Sequence, residues 1–367
     1  MKAEDKPRSA WLVIAGQVSA GLLGPTLLLG ALGLGGCAGE KNSIVLASLG
    51  TEASEAAIDQ DPWGLLPAGP VGWGYVDAQR LFASRFGPTA LDLVLKRLPA
   101  LQAAGFDAKR DLSSLSVGVY SIQGADFVGV AKGRFNREQI EAQVEQNPVT
   151  PLGIPLTKTE YGERTLFMAE SLGFCLLTNQ TVLFGNQMGM RRVIDRVRRG
   201  KLERSLPDWL ESQLKNTQAP VVTGLNLKEN PLSAAARGDL PFLNGMATLG
   251  VLANFEDPGM NLAGTAQYDD ENAARLGAQN LEAFDDYLQS MGWVMALFGV
   301  AQPLRSLTAE AQGSEARFVA QIDGAAVDRL LVQADALLPG VPGGGPPLFS
   351  PPSGSAPPSP NAPGAGP

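Results

Sequence analysis

The sequence predicts an α+β fold in which two similar halves of mostly antiparallel sheet carry helices on one face. The prediction follows from strand pairs that are joined by short turns, followed by a helix, and repeated along the chain. In the clearest unit, residues 115–119 alternate apolar with small residues, as a half-buried strand does. Gln123-Gly124 turns the chain, and residues 127–132 return as the second strand.

The helix of this unit has a start signal and a buried stripe. Asn136 is the expected N-cap, with Gln139 three residues later as its capping-box partner. Ile140 and Val144 recur at helical spacing and should face the sheet. The complete unit is therefore strand, turn, strand and helix.

The same unit recurs later in the chain. Two more copies are expected, each with two strands and a capped helix: 249–255, 262–268 and the cap Asp269-Asp270, then 304–311, 318–322 and the cap Asp323. A variant with extra strands occupies 155–199, and strand–helix pairs at 72–86 and 221–236 also match each other. Two such halves, packed as a pseudo-symmetric pair, would leave a groove between them.

These patterns divide the chain into five segments. They are a signal peptide at 1–36, a lipidated N-terminus and tether at 37–65, α+β halves at 66–217 and 218–338, and a tail at 339–367. The tail is dominated by Pro, Gly, Ser and Ala, and such a composition buries too little apolar surface to offset the entropy of ordering. We expect the tail to be disordered.

The N-terminus has the organisation of a secretory signal. A short charged head is followed by an uncharged, largely apolar stretch over 9–39 that contains the run Leu34-Gly35-Gly36-Cys37. The alternative is a transmembrane anchor, since 9–36 is long enough to span a bilayer. Its many glycines and Gln17 make a weak span.

The run that ends at Cys37 resembles the lipobox of bacterial lipoproteins. The resemblance implies cleavage between Gly36 and Cys37, formation of a thioether to diacylglycerol, and anchoring of the protein by acyl chains such as palmitate. It places the protein in the bacterial cell envelope. With Ala38 after the cysteine rather than Asp, the resemblance implies the outer membrane in a diderm host.

Composition excludes several classes of chemistry. The chain has no histidine, which removes Ser-His-Asp and Cys-His catalysis and histidine metal sites. Its formal net charge of −8 argues against general nucleic-acid binding. If Cys37 is acylated, Cys175 stands alone in an apolar strand-like run, where a buried thiol is expected rather than a reactive one. No cofactor and no metal is predicted.

One segment is strongly basic within this acidic protein. It contains Arg191, Arg192, Arg196, Arg198 and Arg199, interleaved with apolar residues at helical spacing. One interpretation is an anion site for lipid headgroups, an envelope polymer or an acidic partner protein. The other is a solvated helix face that pairs with carboxylates of the same chain.

An apolar run follows the long second-half helix. Met291, Trp293, Met295 and Phe298 make it a candidate wall of a hydrophobic ligand cavity, and core packing is the alternative. The carboxylate groups at 256–257 and 269–271 lack the oxygen density that calcium needs, so turn and helix-cap roles are expected for them.

Two further stretches carry a second resemblance. The sequences Pro70-Val71-Gly72-Trp73-Gly74-Tyr75-Val76-Asp77 and Gly129-Val130-Ala131-Lys132-Gly133-Arg134-Phe135 are similar to a family of uncharacterised exported bacterial proteins, often lipoproteins. This resemblance covers most of 66–338 and implies the fold, with no activity attached.

Three hypotheses for function follow from the sequence. The first is a membrane-anchored envelope lipoprotein that acts as a non-catalytic binding or scaffold module, with an envelope protein or anionic lipid as partner. The second is a carrier of lipid or another hydrophobic ligand in a groove between the halves. The third is an enzyme that uses carboxylate or Ser/Lys chemistry.

Overall fold

A computed structural model describes most of the chain between residues 51 and 337. The described residues are 51–95, 105–121, 126–150, 153–216, 218–228, 231, 240–290 and 304–337. The expected signal peptide, Cys37, the candidate cavity residues Met291, Trp293, Met295 and Phe298, and the expected disordered tail all lie outside them.

The described residues form twelve strands and ten α-helices. The strands are β1 Gly72–Asp77, β2 Leu112–Ser121, β3 Asp126–Gly133, β4 Thr157–Tyr161, β5 Arg164–Ala169, β6 Leu172–Leu176, β7 Thr181–Asn186, β8 Val221–Asn226, β9 Met246–Asn254, β10 Gly259–Tyr268, β11 Leu304–Gln312 and β12 Glu315–Asp323. The helices are α1 Glu55–Gln60, α2 Pro62–Leu65, α3 Ala78–Ala83, α4 Gly87–Leu95, α5 Ala108–Asp111, α6 Arg137–Gln146, α7 Gln187–Arg198, α8 Asp208–Asn216, α9 Glu271–Ser290 and α10 Gly324–Leu337. A 3₁₀ turn covers Pro241–Leu243.

All twelve strands belong to one antiparallel sheet, in the order β11-β12-β10-β9-β8-β1-β2-β3-β7-β6-β5-β4. The two halves meet where β1 pairs with β8, with Gly74 opposite Thr223. Outward from this seam, β2, β3, β7 and β6 on one side match β9, β10, β12 and β11 on the other. The structure therefore has the predicted α+β fold with two similar halves.

The correspondence between the halves extends to single residues. Gly129 on β3 pairs with Phe184 on β7, and Gly264 on β10 pairs with Phe318 on β12. In each pair the phenyl ring occupies the place that a Cβ on the glycine would take. A Cβ added to Gly129 would lie 2.1 Å from Phe184 Cζ, and one added to Gly264 would lie 2.0 Å from Phe318 Cζ. Each ring therefore lies over its partner glycine, so the halves share a specific packing device.

The hairpins β2–β3 and β9–β10 also end alike. The strand register of each hairpin is irregular near its open end. Beyond that point, the residue after the second strand donates its backbone N–H to the residue before the first strand. Arg134 N donates to Asp111 O at 2.8 Å, and Asp269 N donates to Gly245 O at 2.9 Å. Asp111 and Arg134 in the first half are therefore equivalent to Gly245 and Asp269 in the second.

The predicted helix caps are confirmed. Asn136 Oδ1 accepts from Gln139 N at 3.1 Å at the start of α6. Asp270 Oδ1 accepts from Ala273 N at 2.8 Å, and Asp323 Oδ1 accepts from Ala325 N at 2.8 Å. These side chains satisfy backbone donors that a helix start leaves without partners, which is why such residues mark helix boundaries in a sequence.

Helices cover both faces of the first half. Because alternate strand residues point to opposite faces, Val130 and Ala131 lie on different sides of the sheet. Val130 packs with α1, α2 and α7 on what we call face 1, whereas Ala131 packs with α3 and α6 on face 2.

The second half carries its helices on one face, as predicted. Val222 packs in the face 1 core, so its neighbour Val221, which contacts the second-half core, points to face 2. Helices α9 and α10 pack in that core. The one-face prediction does not hold for the first half, because α7 packs on face 1 whereas α3 and α6 pack on face 2. The apolar stripe of α7 predicts that the helix packs on the sheet but does not indicate on which face.

The predicted tether also needs correction, because the folded domain begins before residue 66. Ile58 and Leu65 are fully buried, and Trp63 and Leu66 are nearly so, all in the face 1 core. Their scattered apolar positions in a Gly- and Pro-rich stretch lack a clear helical period, and the sequence interpretation therefore missed α1 and α2. Only residues up to about 50 remain for a tether.

Candidate functional site

The arginine-rich segment forms α7 on face 1. Asn186 Oδ1 caps it by accepting from Gly189 N at 2.7 Å. Met190, Val193 and Ile194 are fully buried, which fixes the helix against the sheet and directs its arginines to the flanks. The predicted amphipathic helix is therefore present.

Three of the five candidate anion-binding arginines contact groups of this chain. Arg192 Nη2 donates to both oxygens of Asp126, at 2.6 and 2.7 Å, and its guanidinium lies 4.3 Å from the ring centroid of Tyr120. Arg191 lies over the ring of Tyr161 at 4.9 Å. Such contacts with a carboxylate and with aromatic rings hold guanidinium groups in place.

Arg196 is the third of them, and Arg198 and Arg199 follow it at the end of α7. Arg196 Nη2 donates to the backbone oxygens of Gly64 at 3.1 Å and Glu203 at 2.8 Å. Arg198 and Arg199 form no ion pair within the described part of the chain, and Arg199 is exposed. The geometry therefore favours an internal role for most of this set and leaves two cations for an external anion.

A polar cluster on face 1 attaches α1 to the sheet. Asp59 Oδ1 accepts from Thr181 Oγ1 at 2.5 Å, Thr178 Oγ1 at 2.6 Å and Lys132 Nζ at 3.2 Å. Lys132 Nζ also donates to Asp59 O at 2.8 Å and to Thr181 Oγ1 at 2.7 Å. We call these four residues the α1 clasp.

The α1 clasp is arranged for attachment rather than for catalysis. Burial raises the pKa of Asp59, but hydrogen bonds from Thr178, Thr181 and Lys132 outweigh it, so the pKa lies below its ordinary value. Thr181 is fully buried and donates to a carboxylate oxygen that also accepts from Thr178 and Lys132. A Thr/Lys nucleophile needs access to substrate and a base ready to take a proton, and this arrangement supplies neither.

An open groove lies on the first half, where β2 begins and β3 ends. Its volume is about 870 Å³. It is lined by backbone and side chains of the turn before α5, the end of β3 and the start of α6: Gly105, Phe106, Arg110, Asp111, Arg134, Phe135, Asn136, Glu138, Gln139 and Asn179. We call it the arginine groove.

Asp111 organises the charged side of the arginine groove. Its side chain is 6% exposed, and Arg110 donates to it through Nε at 2.8 Å and Nη2 at 2.6 Å. Arg134 Nη2 lies 3.0 Å from the same Oδ1 that Arg110 Nε binds. The hydrogen bond from Arg110, more than any other contact, lowers the pKa of Asp111 to about 2, so the carboxylate is a poor base.

Cys175, the cysteine within the described residues, is buried and without a disulfide partner there. Cys175 on β6 is fully buried on face 1, and burial raises the pKa of its thiol to about 12. A thiol that is neither ionised nor accessible does not act as a nucleophile. The interpretation of Cys175 as a core residue is therefore supported.

The carboxylate groups lie at a turn and at a helix start, as expected. In the turn between β9 and β10 the backbone N–H of Gly259 donates to the backbone carbonyl of Glu256 at 2.9 Å, and the carboxylate of Asp270 caps α9. Within the described residues, no three His, Cys, Asp or Glu side chains are grouped to hold a metal ion. None of the helices in those ranges is long and apolar enough to cross a membrane.

Sequence reasoning missed both the arginine groove and the α1 clasp. The adjacency Arg110-Asp111 was visible, but Arg134 joins them only because the hairpin register places it beside Asp111. Asp59 lies 73 residues before Lys132, and no local pattern links them. Pairing of strands, rather than spacing in the chain, creates these sites.

Comparison with known proteins gives fold likeness only. No protein-family model and no curated protein matches the chain. Crystal form I of TP0453 is 11% identical, with a TM-score of 0.45 over 75% of this chain and 97% of that one. Form IV is 12% identical, with a TM-score of 0.44 over 75% and 96%. Form III is 10% identical, with a TM-score of 0.47 over 74% and 98%.

Proposed function

We propose that this chain is a lipid-anchored lipoprotein of the bacterial cell envelope whose folded domain is a non-catalytic binding or scaffold module. Acyl chains on Cys37 attach it to the membrane, the outer membrane where the host has one. Its partner is an envelope protein or an anionic ligand.

The observation that carries the binding role is the arginine groove. Arg110 and Arg134 are 60% and 69% exposed, yet both are held by one buried carboxylate. The groove thus presents fixed hydrogen-bond donors to solvent, while the carboxylate that holds them has too low a pKa to remove protons from a substrate. Fixed donors without a matched base favour recognition over chemistry.

The N-terminal segment supports the anchoring role. Ala53 N donates to Val197 O at 2.9 Å, and Glu52 accepts from Arg164 Nη2 at 2.8 Å, so the chain is attached to the domain from about residue 52. Between Cys37 and Thr51, a fully extended chain spans at most about 50 Å. The proposed anchor therefore keeps Thr51 within about 50 Å of the membrane.

Metabolic labelling tests the anchor. We expect an alkyne fatty acid to label the wild-type protein, and Cys37→Ala to abolish both labelling and signal cleavage while the folded domain is retained. Cys175→Ala is the matched control and should label fully. Equal labelling of wild type and Cys37→Ala would reject the anchor.

Native mass spectrometry of the mature chain, extracted from its own envelope, tests the binding role. A reproducible additional mass that is polar or proteinaceous supports a binding module. A mass that partitions into organic solvent supports the carrier hypothesis instead. A chain that carries no additional mass, and captures none when mixed with envelope extract, would contradict both.

A further inference from the structure

The two groove arginines are fixed in position before any ligand arrives. Arg110 donates to Asp111 through Nε and Nη2, and its Nη2 also donates to Gly105 O at 3.3 Å. Arg134 uses Nη2 on Asp111 and on Arg110 O at 3.1 Å. Two guanidinium groups that share one carboxylate oxygen are neighbours, and little side-chain entropy remains to be lost on binding.

Each arginine keeps donors for an external group. Among the described residues, no hydrogen-bond partner meets Arg110 Nη1, Arg134 Nε or Arg134 Nη1. Asp111 neutralises one of the two guanidinium charges, and Asp107 is a further negative charge near Arg110. Each guanidinium group therefore keeps N–H donors for an external group beside the carboxylate that holds it.

The start of α6 borders the same groove. Its N-terminal backbone groups carry the positive end of the helix dipole, and the side chains of Asn136, Gln139 and Asn179 line the wall. Asn136 and Asn179 already accept from Gln139 N and Arg137 N, which leaves their amide N–H groups as donors. The lining is thus rich in donors, with exposed Glu138 as the opposing charge.

The second half of the molecule serves as an internal control. At the equivalent hairpin end, Gly245 and Asp269 replace Asp111 and Arg134. The backbone hydrogen bond forms equally well there, at 2.9 Å against 2.8 Å, so the fold does not need the arginine pair to close the hairpin. The pair is specific to the first half, which points to a role beyond folding.

We propose that the arginine groove binds a phosphate group between Arg110 and Arg134. Asp111 occupies a fork edge of Arg110 and Nη2 of Arg134, so the donors that remain are separate N–H groups on two side chains. Separate donors fit a tetrahedral oxyanion with several acceptor oxygens, whereas a planar carboxylate is best matched by one intact guanidinium fork. The inference rests on the binding role proposed above and names its ligand chemistry. It does not depend on the lipid anchor.

The test is a titration of the mature chain in an uncharged, phosphate-free detergent, at constant ionic strength, followed by ¹⁵N–¹H spectra of the arginine Nε groups. One arm uses inorganic phosphate, and the other uses glycerophosphoglycerol, the soluble headgroup diester of an anionic phospholipid. We expect saturable shifts of the Arg110 and Arg134 signals. If inorganic phosphate saturates the shifts at the lower concentration, the ligand is a free phosphate or a phosphomonoester. If glycerophosphoglycerol does so, the ligand is a lipid headgroup.

Variants separate specific binding from general charge effects. Arg134→Lys keeps the charge but loses the Nε and Nη1 donors of the guanidinium group, and we expect it to weaken binding about tenfold or more. Arg275→Gln removes an exposed arginine on α9 and should leave the saturation unchanged. Glu138→Gln removes the opposing charge on the groove wall and should tighten binding without disturbing the fold.

Shifts that grow linearly in both arms, equally at Arg110, Arg134 and Arg275, would overturn the inference. So would unchanged binding in both Arg134→Lys and Glu138→Gln. If native mass spectrometry finds a bound molecule while both titrations fail, the binding role stands and the phosphate assignment alone is rejected.

Discussion

Asp111 contributes both to folding stability and to the geometry of the candidate site. It is buried, it accepts from Arg110 and from Asp107 N at 2.9 Å, and it lies 3.0 Å from Arg134. Removing its charge leaves two guanidinium groups side by side without their shared partner. A single carboxylate thus determines both the local free energy of folding and the geometry of the donors.

We expect Asp111→Asn to lower the free energy of unfolding by about 1–3 kcal/mol at pH 7, as for other charged hydrogen bonds. The pKa of Asp111 is lowered from 3.8 to about 2, so its stabilising effect is complete above pH 3.8 and is lost as the pH falls towards 2. The difference in free energy of unfolding between wild type and Asp111→Asn should therefore decrease as the pH falls from 3.8 towards 2. Urea unfolding at pH 7, 5 and 3 measures it.

Glu55→Gln, on the exposed side of α1, is the control for this experiment. Its effect should be small at all three pH values, since Glu55 has no ion pair within the described residues. An Asp111→Asn variant as stable as wild type at pH 7, or a difference that widens on acidification, would contradict the assigned role.

At the scale of elements, local patterns predicted most units but not their placement. Alternation and caps located β2, β3, α6, β9, β10, α9 and the β11–β12–α10 unit, because those signals act within a few residues. The face that α7 covers and the docking of α1 and α2 depend on contacts such as Asp59 with Thr181, 122 residues apart. A one-dimensional pattern carries no information on such contacts, and the arginine groove was missed for the same reason.

The paired strands β3–β7 and β10–β12 should respond alike to one substitution. Gly129→Ala and Gly264→Ala each place a methyl group where a phenyl ring of Phe184 or Phe318 now lies. We expect each variant to lose about 1–3 kcal/mol of unfolding free energy, the usual cost of overpacking. Thermal unfolding measures the loss.

A double substitution tests whether the ring is the cause. Combining Gly129→Ala with Phe184→Leu, or Gly264→Ala with Phe318→Leu, should give less destabilisation than the sum of the two single variants, since the smaller side chain makes room. Strict additivity in both halves would show that the glycine–phenylalanine pairs are not coupled.

At the scale of the whole molecule, one sheet joins the two halves. The seam strands β1 and β8 are hydrogen-bonded along their length, and α8 on face 1 crosses it: Trp209 lies over Gly224 of β8 and in edge contact with Trp73 of β1, with ring centroids 6.1 Å apart. On face 2, Phe86 from the first half packs in the second-half core. A substitution that destabilises one half should therefore also lower the stability of the other half.

Ile322→Ala tests this coupling from the far side of the second half. Ile322 on β12 is 6% exposed, and truncation of such a residue costs about 2–5 kcal/mol. Val319 on the same strand is 55% exposed on the opposite face, so Val319→Ala is the matched control and should cost under about 0.5 kcal/mol. Because β1 and β8 unite the halves, we expect Ile322→Ala to accelerate amide hydrogen exchange in β2 and β3 as well as in β10 and β12. Acceleration confined to β10 and β12 would mean that the halves unfold as separate units despite the continuous sheet.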